Sequence, residues 1–166
     1  MKENRPVIKL QLSFWDKVVE TAGWVVLVLL WLITIFSWFN LPEVIPTHFN
    51  AAGVVDGHGS KGALLVLPVI GTFLFGLITL LIPYPHIFNY LVKITNENAE
   101  RQYILATRMM RYLKLGILLI FLAISVSTFI VGMGKVSGLG VWFLPVMLSL
   151  IFLPTIYLVV KSFRSR

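Results

Sequence analysis

Four stretches of this chain, roughly 21–39, 63–83, 115–134 and 136–160, contain no Asp, Glu, Lys or Arg. Each has about 20 residues or more, enough to cross a hydrocarbon layer of ~30 Å at about 1.5 Å per residue. The expected fold is an all-α integral membrane protein with four transmembrane helices. Composition agrees: 58% of the 166 residues are hydrophobic and the mean hydropathy is +0.89, far outside the range of soluble domains. The length suits one membrane domain spanning 1–166. The same runs limit function. Pumps and ion-coupled transporters carry ionisable groups at membrane depth. These runs carry none, so selective chemistry is expected in the connections.

The net charge is +7, but the basic residues bracket apolar spans instead of forming one long face. That excludes nucleic acid as the expected partner and favours the lipid bilayer. Lys2, Arg5, Lys9 and Lys17 precede the first run, and Lys161, Arg164 and Arg166 follow the last. Lys93, Arg101, Arg108, Arg111 and Lys114 lie between the second and third runs, which leaves Lys61 and Lys135 for the other side. The positive-inside rule then places both termini and the middle connection in the cytoplasm. Segments 40–62 and 134–140 face outward. Cysteine is absent, so neither a disulfide nor a thiolate is available. The first run is too long for a signal peptide, and no small-residue cleavage site adjoins it; it reads as an uncleaved span.

Residues 1–12 show no convincing period and are expected to be mobile or on the membrane surface. Ser13 can cap a helix over about 14–39, with Asp16 in its first turn. Trp24, Trp31 and Trp38 recur every seven residues and lie near one face, for packing and interface anchoring. A second helix is expected over about 63–83. Pro68 kinks it unless it falls in the first turn, and Pro83 and Pro85 end it. Thr95 or Asn96 can cap an amphipathic helix that runs into the third span, over about 96–134. Tyr103 and Met110 belong to its apolar stripe, and Arg101, Arg108 and Arg111 sit away from it. These five residues are the candidate docking surface for lipid or a partner. The fourth helix is expected over about 139–161, interrupted by Pro145 and Pro154.

Segment 40–62 is dense in residues that fix conformation. Pro42 and Pro46 stiffen its start, Asn50 and Gly53 can frame a turn, and Asp56-Gly57 is a strong turn dipeptide. It reads as an ordered extracytoplasmic cap with Ile45, Phe49 and Val54 as inward anchors. His48, Asp56 and His58 are possible metal ligands, with Glu43 able to join them, but no strong metal motif accompanies them. His48 with Asp56 can form a general-base pair, with Thr47 or Ser60 as the nearest nucleophiles. The alternative is that these groups hydrogen-bond the cap together, for instance through an Asp56–Lys61 pair. No cofactor is expected.

The pattern Leu-Pro-x-x-Ile-Pro-x-His-Phe-Asn-x-x-Gly-x-x-Asp-x-x-Gly-Ser-Lys, from Leu41 to Lys61, resembles the signature loop of a bacterial membrane domain of unknown function. That domain forms the N-terminal part of SdpI-type immunity proteins. The stretch from Glu97 through Lys114 is similar to the segment after the loop in stand-alone members. The Gly-x-Arg-Thr-Pro type motif of the immunity proteins' C-terminal half is missing from 115–166. The resemblance implies a multi-pass protein of the bacterial cytoplasmic membrane. It also implies a non-catalytic immunity or signalling role in which the outer loop binds a toxin peptide, lipid or envelope partner, and singles out Pro46, His48, Asn50, Gly53, Asp56, Ser60 and Lys61. Two alternatives stand beside it. One is a membrane enzyme acting on lipid or peptide through His48 and Asp56. The other is an accessory subunit attached to another membrane protein.

Overall fold

The first helix, α1 (Phe14–Asn40), starts at Ser13. Asp16 N donates to Ser13 Oγ at 3.2 Å, and Ser13 N donates to Asp16 Oδ2 at 2.9 Å. This reciprocal capping box satisfies two backbone donors that a helix start leaves unpaired. After α1 the chain forms strands β1 (Val44–Phe49) and β2 (Val55–Ser60), then a 3₁₀ turn (Lys61–Leu65) leading into α2 (Val66–Leu81). A short 3₁₀ turn (Pro85–Ile87) precedes α3 (Ala99–Gly132), and α4 (Phe143–Arg164) completes the order. The computed structural model describes residues 5–165. Four helices, counting the first 3₁₀ turn with α2, are long and apolar enough to cross a membrane.

α3 is the central helix. α1, α2 and α4 each pack on it, and α4 has little contact with α1 or α2. Val26, Leu27 and Leu30 of α1 meet Phe75 of α2 and Leu118 of α3 in the mid-bundle core. Three of the four tryptophans of α1, Trp24, Trp31 and Trp38, mark its seam with α2 and the turn before it. Trp24 stacks edge-on against Phe75 with ring centroids 4.6 Å apart, Trp31 Nε1 donates to Thr72 Oγ1 at 3.0 Å, and the Trp38 ring faces Lys61. Many apolar side chains, such as Phe73, Leu80, Phe152 and Leu153, face outward. In water such a surface would drive aggregation; on helices of span length it is the surface lipid covers.

Proline positions follow their hydrogen-bond cost. Pro68 and Pro145 both fall in the first turn of their helices, where no intrahelical donor is needed. Pro145 therefore does not interrupt α4; Pro154 alone lies inside it. α3 begins later than its sequence suggests. Asn98 Oδ1 accepts from Thr95 N at 2.9 Å, so Thr95 to Asn98 close a turn and the helix starts at Ala99.

The bundle has two distinct ends. At the hairpin end Leu41, Ile45 and Leu64 are buried together with Phe129 against them. At the other, basic end Ile94, Ala99 and Tyr103 are buried beneath Ile8, Leu10, Tyr90 and Val92. The expectation of a mobile or surface-lying leader fails from Arg5 onward. Arg5 Nη1 donates to Phe88 O at 2.5 Å and its guanidinium lies 5.4 Å from the Tyr90 ring centre, while Tyr103 Oη donates to Pro6 O at 3.1 Å. This strap holds the connection between α2 and α3, and burial pushes the Tyr90 phenol above its ordinary pKa. It also covers the expected docking stripe. Tyr103 is 0% exposed because this chain's own leader occupies its face.

The all-α expectation needs one correction, since residues 44–60 form an antiparallel hairpin. Its strands are poor in β-formers, and β2 reads Val-Asp-Gly-His-Gly-Ser. The glycines are the reason they pair. A Cβ on Gly57 would lie 3.0 Å from His48 Cβ, and one on Gly59 would lie 3.0 Å from Thr47 Cγ2. β2 thus gives up side chains so that the bulkier β1 residues fit across from it.

Candidate functional site

The hairpin loop is built by Asn50. Its backbone N–H donates to Val54 O at 2.9 Å, and its Oδ1 accepts from Ala52 N at 3.0 Å and Val54 N at 3.1 Å. Gly53 completes the turn at φ +76°, in the left-handed region that favours glycine. The turn expected at Asp56-Gly57 does not form; both residues lie within β2. Of the three expected anchors, Ile45 is buried and Phe49 half-buried, whereas Val54 is exposed. Val54 is instead engaged through its backbone in a bridge to Gly138. Leu139 N donates to Gly53 O at 2.7 Å, so the turn between α3 and α4 is tied to the hairpin tip. This crossing tolerates no Cβ: one on Gly53 would come within 2.6 Å of Gly140 O, and one on Gly138 would collide with Gly53 O.

Beneath the hairpin lies a cavity of about 450 Å³. Its walls come from β1, the start of α2, the later part of α3 and the start of α4. The lining is mainly apolar, with Leu64, Leu67, Ile124, Phe143 and Leu144, and Ser125 and Thr128 supply hydroxyls from α3. Volume and lining suit an apolar ligand with a few polar groups to orient it.

The residues singled out by sequence divide between the cavity and its frame. Pro46, His48, Asn50 and Gly53 line the cavity. Asp56 reaches it only through His48: Nδ1 and Oδ1 are 2.5 Å apart, with side chains 71% and 43% exposed. Ser60 sits at the start of the 3₁₀ turn. Lys61 does not pair with Asp56; its Nζ lies 3.7 Å from Glu43 Oε1 and 5.7 Å from the Trp38 ring centre. Among the described residues His48 bonds no hydroxyl, and no three His, Asp or Glu side chains gather as a metal-ligand set, so His58 and Glu43 do not join His48 and Asp56.

The sequence missed the far wall of the cavity. Ser125 and Thr128 stand three residues apart inside the third apolar run, and both are buried. Hydroxyls on one face of such a run were the available signal. Leu139, Phe143 and Leu144 offered none, because their place depends on how the α3–α4 turn meets the hairpin.

The sequence also missed a charge network at the basic end. Arg108 Nε donates to Asp16 Oδ1 at 2.8 Å and Nη2 donates to Ser13 Oγ at 3.2 Å. Lys114, 1% exposed, donates to Glu20 Oε1 at 2.6 Å and Thr79 Oγ1 at 2.9 Å, and its Nζ lies 4.2 Å from the Phe75 ring centre. Arg111 Nε lies 3.5 Å from Glu20 Oε2, an ion pair too long for a good hydrogen bond, and Nε is buried without a hydrogen-bond partner. Arg108 and Arg111 therefore face α1 within the fold instead of forming an open docking surface. Arg101 is exposed and Met110 half-buried. The legible signal was the spacing: acids at 16 and 20 on one helix, bases at 108, 111 and 114 on another.

Residues 25–72 match the family described as Domain of unknown function (DUF1648). That range covers most of α1, the hairpin and the first part of α2. A 46-residue stretch is 44% identical to a protein of Archaeoglobus fulgidus described as uncharacterized, covering 28% of this chain and 25% of that protein. The match thus spans about a quarter of the relative's length. No solved structure matches the chain. The hairpin lies inside the matched region, while the α3 and α4 wall of the cavity lies outside it.

Proposed function

We propose that the chain is a non-catalytic membrane receptor that takes an apolar ligand into the hairpin-roofed cavity from the outer leaflet. The observation that carries this reading is the cavity itself, an apolar, half-open cleft of about 450 Å³ roofed by the hairpin. The orientation that supports it follows from charge. Lys61 and Lys135 are the basic residues assigned to the hairpin end, and the other twelve belong to the opposite side. The resemblance to SdpI-type immunity proteins makes a secreted, membrane-active peptide the favoured ligand, with a lipid or envelope component as the other source of the same chemistry.

The enzyme alternative fares worse on geometry. A general base needs a substrate or nucleophile within hydrogen-bond reach and gains from exclusion of water. His48 is 71% exposed and its bonded partner is Asp56. The pair is better suited to holding the rim of the cavity. The open face of α4 also admits attachment to a neighbouring membrane protein, as an accessory subunit would need. A partner that stays bound through mild-detergent purification would favour that alternative.

The test is protection. Cells making the protein are challenged with a panel of secreted amphipathic peptides, and Ser125→Trp, His48→Ala and Asp56→Ala are compared with wild type. Protection should fall at least tenfold for Ser125→Trp, which fills the cavity, and by less for the two rim variants, with membrane insertion unchanged. Undiminished protection by all three variants overturns the receptor reading. Lipid turnover by purified protein, lost in His48→Ala, would establish the enzyme instead.

A further inference from the structure

The basic end contains a second cavity, of about 490 Å³, between the start of α1, the first half of α3 and the end of α4. α1 and α4 both rest on α3 and have little contact with each other, so a cleft remains between them. Its level along the bundle is defined by Ser13, which caps α1, and by Lys161, in the last turn of α4. Both mark the polar limit of an apolar span.

The cleft has a consistent chemistry. Arg108 and Lys161 supply positive charge, and Asp16 is the one carboxylate in the lining. Asp16 is already engaged, taking Arg108 Nε on Oδ1 and Arg108 Nη2 at 3.3 Å on Oδ2, which also accepts from Ser13. Arg108 Nη1 takes part in none of these bonds. Lys161 has no carboxylate partner among the described residues; its Nζ lies 5.8 Å from the Tyr157 ring centre. Trp15, Tyr112 and Tyr157 add the amphipathic aromatics that favour a membrane–water boundary. Leu105, Pro154 and Leu158 complete an apolar wall. Net positive charge, spare N–H and O–H donors and an adjoining apolar wall together match a phosphate carried on an acyl chain. A metal cation would be repelled, and a wholly apolar ligand would leave the donors unpaired.

We propose that this cleft seats the headgroup of an anionic phospholipid, with Arg108 and Lys161 on the phosphate and the acyl chain against Leu105, Pro154 and Leu158. The site is independent of the hairpin-end reading and rests only on the helices spanning a membrane.

The test uses the full chain in detergent and native mass spectrometry with dioleoylphosphatidylglycerol and dioleoylphosphatidylcholine. Phosphatidylglycerol should be retained at least roughly fivefold better, the size expected for one basic side chain near an anionic lipid. Lys161→Glu should abolish that preference with helicity unchanged. Arg101→Glu makes the same charge change on an exposed side chain outside the cleft and should keep it. Equal retention of the two lipids overturns the proposal, and so does equal loss in Lys161→Glu and Arg101→Glu, which would indicate diffuse surface charge. Free glycerol-3-phosphate is the third arm. If it displaces phosphatidylglycerol as effectively as the lipid itself, the phosphate site is real but the lipid assignment is overturned.

Discussion

At the basic end, Lys114 is 1% exposed and touches a carboxylate, a hydroxyl and a ring face. At the hairpin end, His48 and Asp56 make an even shorter contact, yet their side chains are 71% and 43% exposed. Distance alone would rank the second pair higher. Burial reverses the order. An exposed pair exchanges one solvated state for another and contributes ~0–1 kcal/mol. A buried charge cannot recover its hydration, so removing its partner costs about 3–5 kcal/mol. The basic end therefore fixes the bundle through charge pairing, whereas the hairpin end is held by backbone geometry and a small apolar cluster and leaves its polar groups exposed.

The sharpest way to break this contrast is Glu20→Gln. Two buried cations, Arg111 and Lys114, face that one carboxylate. The variant should lose about 3 kcal/mol of stability in detergent unfolding, near the low end of the range because Glu20 keeps a quarter of its side chain exposed. The triple variant Glu20→Leu, Arg111→Leu, Lys114→Met should recover much of that loss, since no charge is then left unpaired. A single variant as stable as wild type would show that water reaches the network and that the basic end resembles the hairpin end after all.

The next largest effect belongs to the glycine crossing. Gly53→Ala must hold an L-residue at φ +76° and place its Cβ 2.6 Å from Gly140 O. The left-handed conformation alone costs about 1–2 kcal/mol. Hydrogen exchange should quicken at Leu139 and through 50–56 while α3 stays protected. Loss of protection across α3 as well would mean that the two ends are not energetically separate.

A third, smaller test concerns the seam between the ends. Trp31 Nε1 donates to Thr72 Oγ1 across α1 and α2 at 3.0 Å. Hydrogen bonds between membrane helices average about 0.6 kcal/mol. Trp31→Phe should cost about that much in the same unfolding assay. A loss comparable to Glu20→Gln would place the main stability of the bundle in this seam.

What the sequence disclosed follows the same division. Helix positions, the Ser13 cap, the Asn50–Gly53 turn and the inward Ile45 were legible, because each depends on near neighbours or on composition. The hairpin was hidden because its pairing depends on Gly57 and Gly59 leaving room for the side chains of His48 and Thr47, a long-range fit with no strand-like alternation. The charge network was hidden because Asp16 and Glu20 lie 92 and 94 residues from Arg108 and Lys114. Both sets fall outside the apolar runs, so the runs looked free of charge while the helices were not. α3, at 34 residues and about 51 Å, exceeds a ~30 Å hydrocarbon layer by several turns. Its charged first half can therefore lie at headgroup level and still be packed.

The last effect, whose coupling reaches as low as about 0.2 kcal/mol, is also the one that links the contrast to function. His48→Ala and Asp56→Ala should each change unfolding stability by less than about 1 kcal/mol, and a double-mutant cycle should return a coupling of ~0.2–1 kcal/mol that shrinks with added salt. Both positions nevertheless adjoin the cavity, His48 directly and Asp56 through it. If the hairpin end serves ligand binding, protection should fall in both variants although stability barely moves. A coupling well above 1 kcal/mol, insensitive to salt, would mean that the pair is shielded from water in the membrane. His48 and Asp56 would then belong with Lys114 and Glu20 as structural groups, and the polar rim of the cavity would have to be sought at Ser125 and Thr128 instead.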